Sequence, residues 1–507
     1  MKLKELCRLS GIDCPGEAEE TEIAFVTDHT AKVKEGCLFV AIRGFTTDGH
    51  DKIDDAIASG AVAILASDDY VAPQDFPAIL LRSKDTRRAF SFLCHAFYGS
   101  PGEKLKLIGV TGTNGKTSVT NMIRAILEAS MYRCGLIGTV GCESAGRSLS
   151  GENANHLSNL TTPDPQDLYR MLSEMVDDGV EYAIMEVTSH ALALEKLAPL
   201  HFTAAIFTNL TPEHLDFHKT MQAYAACKAK LFAKSDLSIF NADASFAEFM
   251  ATHASGKKIF CSRQKDADYR AEDPLMRGKN GVEYTLSSGK TRLRLVCPIP
   301  GRFTLMNSME AAVCALELGV SPGRVKDALA SMAGVKGRME RVKLGHDAEF
   351  TLLIDYAHTP DALENLLRTL REMKGREGRL LLLFGCGGDR DQTKRPVMGR
   401  IASELADVIY LTADNSRSED TKEILSQIRA GIPEGAAVIE IPDRREAITQ
   451  AVLDAKRGDW LVLAGKGHEE YELLGNERIP FSEKQIAQEA FLRRRNQNEK
   501  DSTGKKR

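Results

Sequence analysis

Short, continuous runs of apolar and β-branched residues recur along the chain and constrain its fold more than any other feature. Each run ends in a polar or acidic residue, and helical stretches separate one run from the next. This pattern is typical of parallel sheets covered by helices on both faces, whose ligands bind at the carboxyl ends of the strands. From residue 105 onwards the runs are KLIGVT, EYAIMEV, FTAAIFTN, DLSIFNAD, FTLLIDYAH, RLLLLFGCGG, DVIYLTADN, AVIEIPD and WLVLAGKGH.

The length of 507 residues exceeds that of one hydrophobic core, so we expect several domains. In the first hundred residues, CLFVAIRG and AVAILAS flank the helical stretch DKIDDAIASG, and a second boundary falls within AGVKGR. We predict an α/β protein of three domains: a small N-terminal α/β domain (1–102), a central domain with a P-loop-type parallel sheet (103–336) and a C-terminal Rossmann-like α/β domain (337–507). The polar segment 493–507 lacks apolar periodicity, and we expect it to be a frayed tail.

Composition excludes several classes of protein. The net charge of −5 gives no basic footprint for nucleic acid, and no run of 18 apolar residues suggests a membrane span. The sequence begins MKLKE, without the apolar stretch of a secretory signal. The eleven cysteines contain no CxxC pair, so we interpret them as reduced core thiols. We expect a cytoplasmic monomer that acts on small molecules and binds neither nucleic acid nor membranes.

The sharpest local signal is the loop Thr111-Gly112-Thr113-Asn114-Gly115-Lys116-Thr117, which follows one of the strands and precedes a helix. Its glycines let the backbone approach a phosphate, Lys116 supplies a positive charge, and the Thr117 hydroxyl suits Mg²⁺. A strict Walker pattern would need a glycine where the chain has Val110. The alternative, a tight turn with an incidental Lys-Thr pair, is disfavoured by the flanking strand and helix. We therefore predict an ATP site.

Three further residues are candidates for the same site. Glu186 closes EYAIMEV and His214 lies just past FTAAIFTN, so both could face a magnesium ion at the loop. A capping glutamate and a surface histidine are the alternatives, and the residues alone leave both open. Lys228 lies in the helical stretch YAACKAKLF. Because a lone lysine on a helix is usually solvated, the residues alone predict that Lys228 is on the surface.

Polar loops also follow four strands of the predicted third domain. Arginine can bind a carboxylate with two parallel hydrogen bonds, and acidic side chains can accept an ammonium group, so these loops could hold a zwitterion. The alternative is a charged rim of loops, which explains any one loop but explains four in one domain less well. The candidates are Asp355, Asp389, Arg390, Asn415, Arg417, Lys466, His468 and Glu469.

Seven motifs occur in a fixed order: TGTNGKT, EVTSH, NLTPEHLDFH, GRME, DYAHTPD, FGCGGDRD and GKGHE. With them the chain resembles the Mur ligases over nearly its whole length. FGCGGDRD, KRPVMG and GKGHEEY are specific to the members that add the third amino acid to the muramoyl dipeptide, whereas TGTNGKT alone marks a wider group that includes folylpolyglutamate synthase. The resemblance implies a UDP-sugar-binding N-terminal domain, an ATP-binding central domain and an amino-acid-binding C-terminal domain.

The resemblance also implies roles for individual residues. Lys116, Glu186, His214 and Lys228 would be catalytic, with Lys116 on the phosphates of ATP. Lys228 matches the lysine that the family carbamylates, which turns a cation into a carboxylate-like metal ligand and reverses the interpretation given above. Two Mg²⁺ ions would be held by Thr117, Glu186, His214 and carbamylated Lys228. Expected near the nucleotide, besides the loop, are Asn307, Arg338 and Asp355. Expected on the muramoyl substrate are Thr30, Thr161, Thr162, Thr188 and Lys196. Expected on the incoming amino acid are Arg390, Asp414, Asn415, Arg417, Gly465 and Glu469.

The chain departs from the family pattern at several positions. Its third-domain motif reads Asp414-Asn415-Ser416-Arg417, where ligases that use meso-diaminopimelate usually have Asp-Asn-Pro-Arg and lysine-using ligases lack the arginine. Because Arg417 can bind the distal carboxylate of diaminopimelate, which lysine does not have, the motif favours diaminopimelate. The uridine-binding Asp-Ser-Arg is replaced by His29-Thr30-Ala31, and Lys196 and Thr304 replace a usual arginine and asparagine.

The expected reaction is acyl activation followed by amide formation in peptidoglycan synthesis. The γ-carboxylate of D-glutamate attacks the γ-phosphate of ATP, and the amine of the third amino acid then displaces phosphate from the acyl phosphate. Three alternatives stay open: L-lysine or another amino acid as the substrate, a different carrier, and a non-catalytic protein that retains the fold. The last is disfavoured because Lys116, Thr117, Glu186, His214 and Lys228 are all present.

Overall fold

The computed structural model of the chain describes residues 1–45, 47–149, 160–289, 291–345, 348–376, 378–475 and 477–504. It divides into two compact units. The first comprises Met1–Leu210, Thr220–Cys261 and Glu310–Val320, and the second comprises Thr211–Lys219, Ser262–Met309 and Ser321–Arg507. The domain boundaries that we placed at residues 102 and 336 stay predictions.

The first unit begins with a four-stranded parallel sheet in the order β1-β2-β3-β4. Its strands carry apolar residues on both faces, and every position of β2 is buried. Helix α3 begins where the Asp85 side chain accepts a hydrogen bond from the N–H of Arg88, at 2.9 Å. The predicted small α/β unit is confirmed. Its elements are α1 (Leu3–Ser10), β1 (Phe25–Thr27), β2 (Cys37–Val40), α2 (Ile53–Ala58), β3 (Ala61–Ser67), β4 (Ile79–Ser83) and α3 (Thr86–Phe97).

A second sheet of the first unit has the order β12-β11-β10-β5-β9-β6-β7-β8. The strands from β12 to β6 are parallel and include the four predicted in this region, which are β5, β9, β10 and β11. The sequence patterns did not predict β6, β12 or the antiparallel edge that β7 and β8 form. The elements are β5 (Lys106–Thr111), α4 (Lys116–Ala129), β6 (Cys134–Gly138), β7 (Gly141–Ser144), β8 (Arg147–Ser148), α5 (Pro165–Asp177), β9 (Tyr182–Glu186), α6 (Ser189–Ala193), β10 (Phe202–Phe207), α7 (Leu215–His218), α8 (Met221–Ala229), β11 (Ser235–Asn241), α9 (Ala247–Thr252) and β12 (Lys257–Ser262). Helix α7 belongs to the second unit.

The second unit contains an antiparallel meander, β13-β14-β15, which was also not predicted. Arg277 and Arg294 both form ion pairs with Glu283 of β14. The elements of this part of the chain are β13 (Tyr269–Met276), β14 (Val282–Ser287), β15 (Arg292–Cys297), α10 (Arg302–Glu317) and α11 (Pro322–Ala330). Helix α10 runs through the boundary between the two sets of residues at Met309 and Glu310.

The larger sheet of the second unit has the order β16-β17-β21-β18-β19-β20, with only β16 antiparallel. Its five parallel strands are the five predicted from the sequence, and all positions of β18 are buried. The elements are β16 (Glu340–Arg341), β17 (Thr351–Asp355), α12 (Pro360–Lys374), β18 (Leu380–Phe384), α13 (Lys394–Leu405), β19 (Val408–Leu411), α14 (Thr421–Arg429), β20 (Val438–Glu440), α15 (Arg444–Asp454), β21 (Trp460–Ala464), β22 (Tyr471–Leu474), β23 (Glu477–Pro480) and α16 (Glu483–Gly504).

Four general expectations can be compared with the structure. The α/β class with parallel sheets is confirmed. The prediction of a frayed tail from residue 493 is wrong for most of that segment, because α16 continues to Gly504; residues 505–507 lie outside the described part of the chain. All eleven cysteines lie in the described part of the chain and none forms a disulfide bond, as expected of reduced thiols. Within the described residues, none of the helices combines the length and the apolar character that a membrane span requires.

A buried arginine ties together the ends of the second unit's sheet. Arg444, the first residue of α15, is fully buried and donates to Oε1 of Glu483 at 2.7 and 2.9 Å. It also donates to the carbonyl oxygens of Ala413, just past β19, and of Ala464, the last residue of β21, at 2.8 and 2.9 Å. Its charge is therefore paired, and the guanidinium links two strand ends to the start of α16.

We predict that Arg444→Ala destabilises the second unit by about 3–5 kcal/mol, because the substitution leaves Glu483 buried without its partner. The midpoint of urea-induced unfolding measures the change. The neighbouring Arg445→Ala is the matched control: Arg445 is exposed and lies 3.9 Å from Glu489, so its loss should cost less than about 1 kcal/mol. Equal effects of the two substitutions would contradict a structural role for the buried pair.

Candidate functional site

The phosphate-loop candidate has the strand–loop–helix geometry that the sequence predicted. Strand β5 ends at Thr111 and α4 begins at Lys116, with Gly115 in the left-handed region at its N-terminus. Gly112 has φ of 151°, and a Cβ atom there would lie 2.0 Å from Oγ1 of Thr208. Only glycine lets the loop lie this close to the end of β10.

Two residues after β10 hold the loop in place. Oδ1 of Asn209 accepts from the N–H of Asn114 at 2.9 Å, and the Asn209 Nδ2 donates to the Asn114 carbonyl at 3.0 Å. The Thr208 hydroxyl donates to the same carbonyl at 2.6 Å. Sequence reasoning missed both residues as site residues, although they end the predicted strand FTAAIFTN, where polar residues were expected.

Two lysines point at the loop. The Lys116 ammonium donates to the carbonyl oxygens of Gly112 and Thr113 at 2.9 and 2.8 Å. The Lys228 ammonium donates to the Gly112 carbonyl at 3.0 Å and lies 4.8 Å from the ring centre of Tyr224. Lys228 is only 1% exposed, so the prediction of a solvated surface lysine, made from the residues alone, is wrong. Its ammonium group is held against the phosphate loop and the Tyr224 ring instead of facing water.

Glu186 ends β9, in register with Val110 of β5, and is buried. Its two oxygens accept from the backbone N–H and the hydroxyl of Thr139, at 2.8 and 3.0 Å. The hydroxyl of Thr139 is also 3.1 Å from that of Thr161. Two donors on one threonine fix the orientation of the carboxylate at the same sheet edge as the loop. Thr139 carried no signal in the sequence.

Thr162 and Thr188, which were also predicted on the muramoyl substrate, lie beside Glu186. Thr162 donates to the Glu186 carbonyl at 2.8 Å, and its hydroxyl is 3.2 Å from that of Thr188, which caps α6. The structure thus brings Thr161, Thr162 and Thr188 together. Their predicted contact with substrate stays a prediction.

Lys196 is buried and forms an ion pair of 2.6 Å with Asp164. Asp164 also lies near Asp28, whose pKa is raised by burial and by the Asp164 charge. Thr30 lies in the turn that follows Asp28. The contact of Thr30 and Lys196 with the muramoyl substrate stays a prediction.

In the second unit, Asp355 ends β17 and accepts from the N–H groups of Met339 and Ala357 at 2.7 and 2.8 Å. Burial raises the pKa of Asp355, against the opposing charge of Arg338. The Arg338 guanidinium lies 4.5 Å from the ring centre of Tyr356. Asn307, the third residue predicted near the nucleotide, is buried in α10.

His214 lies in the left-handed region with φ of 56° and is 3.8 Å from Glu213 in the same unit. Glu213 also lies 3.9 Å from His358. Burial and the charge of Lys394 lower the pKa of His358 to about 4, so this imidazole is neutral at pH 7. Since Glu186 belongs to the first unit, the shared metal site of Glu186 and His214 stays a prediction.

Four residues predicted to bind the amino acid meet at the ends of β19 and β21. The Asn415 amide donates to Glu469 at 2.8 Å and accepts from the Lys466 ammonium at 2.8 Å. Asp414 accepts from the Asn415 N–H at 2.7 Å, and a Cβ atom at Gly465 would lie 2.6 Å from the Asp414 carboxylate. Two anions, one amide and one cation thus share a small volume.

The two carboxyl groups of this cluster differ in their pKa. Burial and the charge of Asp414 raise the pKa of Glu469 to about 7. Burial also acts to raise the pKa of Asp414, but the cations Lys466 and Arg444 outweigh it and lower that pKa. Asp414 therefore stays ionised, whereas Glu469 changes charge near neutral pH.

Both predicted arginines lie in the adjoining loops. Arg417 is half-buried and donates to the Gly388 carbonyl at 2.6 Å, whereas Arg390 is exposed. Although Arg390 is exposed, the surrounding loops partly desolvate its guanidinium, and this effect together with the neighbouring Arg417 charge lowers the pKa of Arg390. Two close guanidinium groups raise the local positive potential, which suits an anionic ligand.

Sequence reasoning missed the residue that supports the loop after β18, which carries Arg390. Arg395 of α13 is fully buried and donates to both oxygens of Glu419, at 2.8 and 2.9 Å, and to the Gly387 carbonyl at 3.3 Å. Glu419 in turn accepts from the Asp389 N–H. Arg395 stood in the motif KRPVMG, but nothing in the sequence indicated which group it would pair with.

Comparisons with known proteins match the regions that carry the phosphate loop and the amino-acid candidates. Residues 110–315 match the model of the Mur ligase middle domain, residues 337–467 that of the Mur ligase glutamate ligase domain, and residues 22–90 that of the Mur ligase family catalytic domain. A UDP-N-acetylmuramoyl-L-alanyl-D-glutamate–2,6-diaminopimelate ligase from Clostridium acetobutylicum is 41% identical over 92% of this chain and 94% of its own length. The chain belongs to the Mur ligase family. The family consists of ATP-dependent ligases, and this chain is one of them.

Solved structures agree with the fold. A structure of a UDP-N-acetylmuramoyl-L-alanyl-D-glutamate–2,6-diaminopimelate ligase is 29% identical, with a TM-score of 0.67, over 98% of this chain and all of that one. A MurF ligase from Thermotoga maritima in complex with ADP is 16% identical, with a TM-score of 0.58, over 94% of this chain and 97% of that one, and shows the fold alone. The predicted three-domain Mur ligase architecture is confirmed.

We predict that Gly112→Ala lowers the affinity for ADP by more than about tenfold, because the new Cβ displaces the loop from Thr208. Isothermal titration calorimetry measures the change. Gly141→Ala is the matched control, since Gly141 has a similar φ of 148° and no neighbouring atom within 4 Å of its Cβ position. If both variants bound ADP equally, the close approach at Gly112 would not matter for the nucleotide.

Proposed function

We propose that this Mur ligase joins meso-diaminopimelate to the D-glutamate of UDP-N-acetylmuramoyl-L-alanyl-D-glutamate, with ATP, in the synthesis of peptidoglycan precursors. The observation that carries the proposal is the cluster of Arg417, Asn415 and Glu469 at one sheet edge. Arg417 is suited to the distal carboxylate of diaminopimelate and Glu469 to an ammonium group. The names of the curated relatives support the same substrates.

The proposed chemistry has two steps. First, the γ-carboxylate of D-glutamate attacks the γ-phosphorus of ATP, and the bond to the β–γ bridging oxygen breaks, which gives an acyl phosphate and ADP. Second, the amine of diaminopimelate attacks the acyl carbon, loses a proton and expels inorganic phosphate. Lys116 opposes the negative charge that gathers in the first step, and the glycine loop orients the phosphates.

The donor set at the loop fits magnesium, which prefers oxygen ligands. Thr117 provides a hydroxyl at the start of α4 and Glu186 an oriented carboxylate at the same sheet edge. Within the described ranges, no three His, Cys, Asp or Glu side chains form a ready-made metal cluster, so phosphate and water oxygens would complete the coordination. Bound magnesium would neutralise phosphate charge. We further propose His214 and carbamylated Lys228 as ligands, because both match the family motifs.

Several wider expectations remain proposals of the same kind. They are a cytoplasmic location, a monomeric state, the domain boundaries at residues 102 and 336, and contact of Thr30, Thr161, Thr162, Thr188 and Lys196 with the muramoyl substrate. The replaced motif at His29-Thr30-Ala31 makes a different carrier the main rival to the muramoyl dipeptide.

The substrate test is ADP release with UDP-muramoyl dipeptide and either meso-diaminopimelate or L-lysine. We expect release with diaminopimelate only. Arg417→Ala should raise the KM for diaminopimelate at least about tenfold and leave the KM for ATP unchanged, because a charged hydrogen bond to the distal carboxylate is lost.

Two variants serve as controls in this assay. Arg400→Ala removes an exposed arginine of α13 that pairs with Glu404 and should behave as wild type. Lys116→Ala should release no ADP at all. Turnover with lysine would refute the assigned amino acid, and release of ADP only when another carrier replaces the muramoyl dipeptide would refute the assigned acceptor.

The raised pKa of Glu469 predicts a pH dependence of amino-acid binding. Below a pKa of about 7 the group is protonated and neutral, and above it the carboxylate can accept an ammonium group. The KM for diaminopimelate should therefore fall about tenfold between about pH 6 and pH 8, as the ionised fraction rises. In Glu469→Gln this trend should vanish while the KM stays high. An unchanged profile would show that another group titrates.

A further inference from the structure

The hairpin β22–β23 lies directly against the loop that carries Asn415 and Arg417. Its strands pair from Tyr471 with Pro480 to Leu474 with Glu477, and Arg478 lies 4.0 Å from the ring centre of Tyr471. The N–H and the carbonyl of Leu473 are turned away from β23. Both make hydrogen bonds to the 415–417 loop instead.

The Leu473 N–H fixes the orientation of the Asn415 side chain. Oδ1 of Asn415 accepts from the Leu473 N–H at 3.0 Å and from the Lys466 ammonium at 2.8 Å. An amide whose oxygen already accepts from two donors must turn its NH₂ group the other way, and here that group donates to Glu469 at 2.8 Å. The backbone of β22 therefore determines which end of Asn415 faces Glu469.

The same strand holds the backbone of Arg417. The Leu473 carbonyl accepts from the Arg417 N–H at 3.2 Å, and the Gly475 N–H donates to the Arg417 carbonyl at 2.8 Å. These bonds form a parallel β-bridge between Arg417 and Leu474. Arg417 has φ of 51°, a left-handed conformation that is unfavourable for a residue with a Cβ atom and that persists only when neighbours hold it.

We propose that the backbone of Leu473 is a positioning element of the amino-acid site, which orients the Asn415 amide with its N–H and holds Arg417 with its carbonyl. The inference rests on the proposed function, because it takes Asn415 and Arg417 as groups that bind the incoming amino acid. The hairpin touches no reacting atom; it acts through these two side chains. Specificity for the amino acid thus depends on a strand that lies beyond the GKGHE motif.

A positioning role of this kind predicts a selective effect on one substrate. The two backbone hydrogen bonds of Leu473 described above go to Asn415 and Arg417, and neither of these residues belongs to the phosphate loop. Loss of the contacts should therefore raise the KM for diaminopimelate and leave the KM for ATP unchanged.

Leu473→Pro tests the inference, because proline has no N–H to donate to Asn415. Position 473 lies in β22, and its N–H is donated to Asn415 and not to β23. Leu473→Ala is the matched control, since it shortens the side chain and keeps the backbone donor. The assay is ADP release by the full chain with UDP-muramoyl dipeptide, at varied diaminopimelate and at varied ATP, and thermal unfolding checks that each variant is folded.

The expected result is an increase of about tenfold in the KM for diaminopimelate in Leu473→Pro, a KM for ATP within about twofold of wild type, and wild-type kinetics in Leu473→Ala. If Leu473→Pro does not fold, the backbone ester at position 473, made with the α-hydroxy analogue of leucine, removes only the N–H and is measured in its place. An unchanged KM for diaminopimelate, or equal increases for both substrates, would overturn the inference.

Failure of the proposed function gives a different result. In that case the wild-type chain itself releases no ADP with diaminopimelate present, and the inference falls together with the function. An active wild type with an insensitive Leu473→Pro variant would refute the positioning role alone.

Discussion

Strands that are buried on both faces cannot carry charged side chains along their length, so the charged residues of the sheet lie where the strands end. The larger sheet of each unit shows this constraint. In the first unit, Lys116 follows β5 and Glu186 is the last residue of β9. In the second unit, Asp414 follows β19 and Glu469 follows β21. Once charges gather at such an edge, each must find a partner, because an unpaired buried charge is too costly. Such partners are present for three of these groups. Lys228 donates to a carbonyl of the phosphate loop, Glu186 accepts from Thr139, and Glu469 accepts from Asn415. Sites suited to phosphates and to a zwitterion therefore follow from the sheets themselves.

Most of the parallel strands were predictable because their signal is local, although the sequence patterns did not identify β1, β4, β6 and β12. A continuous apolar run between helices has few other interpretations, and every strand named on that basis is present. The antiparallel segments β7–β8 and β13–β15 escaped prediction because they are short or carry many charged residues, as in Tyr269–Met276 with its Glu, Asp and Pro. The helical continuation of α16 beyond residue 492 escaped because its residues are polar, whereas the first turns of this helix bury Ile486, Ala490 and Phe491.

Candidate site residues were predictable where a motif or a strand end marked them, and not where a partner far along the chain decides their role. The glycine loop and Arg417 were recognised from neighbours in sequence. Lys228 was misjudged from the residues alone because burial is a tertiary property, and its acceptor Gly112 lies more than a hundred residues earlier. Arg395, Arg444 and Leu473 were missed because their partners come from other elements, and in the case of Leu473 the contact is made by backbone atoms, which every residue has.

The hydrogen bonds of the buried Arg444 guanidinium limit how early the second unit can finish folding during synthesis. It joins the loops after β19 and β21 to Glu483, the first residue of the last helix. On a ribosome, the loops that carry Asp414 and Gly465 emerge before Glu483 does, and until then Arg444 lacks the carboxylate to which it donates two hydrogen bonds. The larger sheet of the second unit can thus form during synthesis. The edge that carries its charged loops, however, reaches its final structure only after residue 483 has left the exit tunnel. Proteolysis just before that residue would leave a chain that contains every motif of the second unit's larger sheet but lacks Glu483, through which Arg444 holds the two loops.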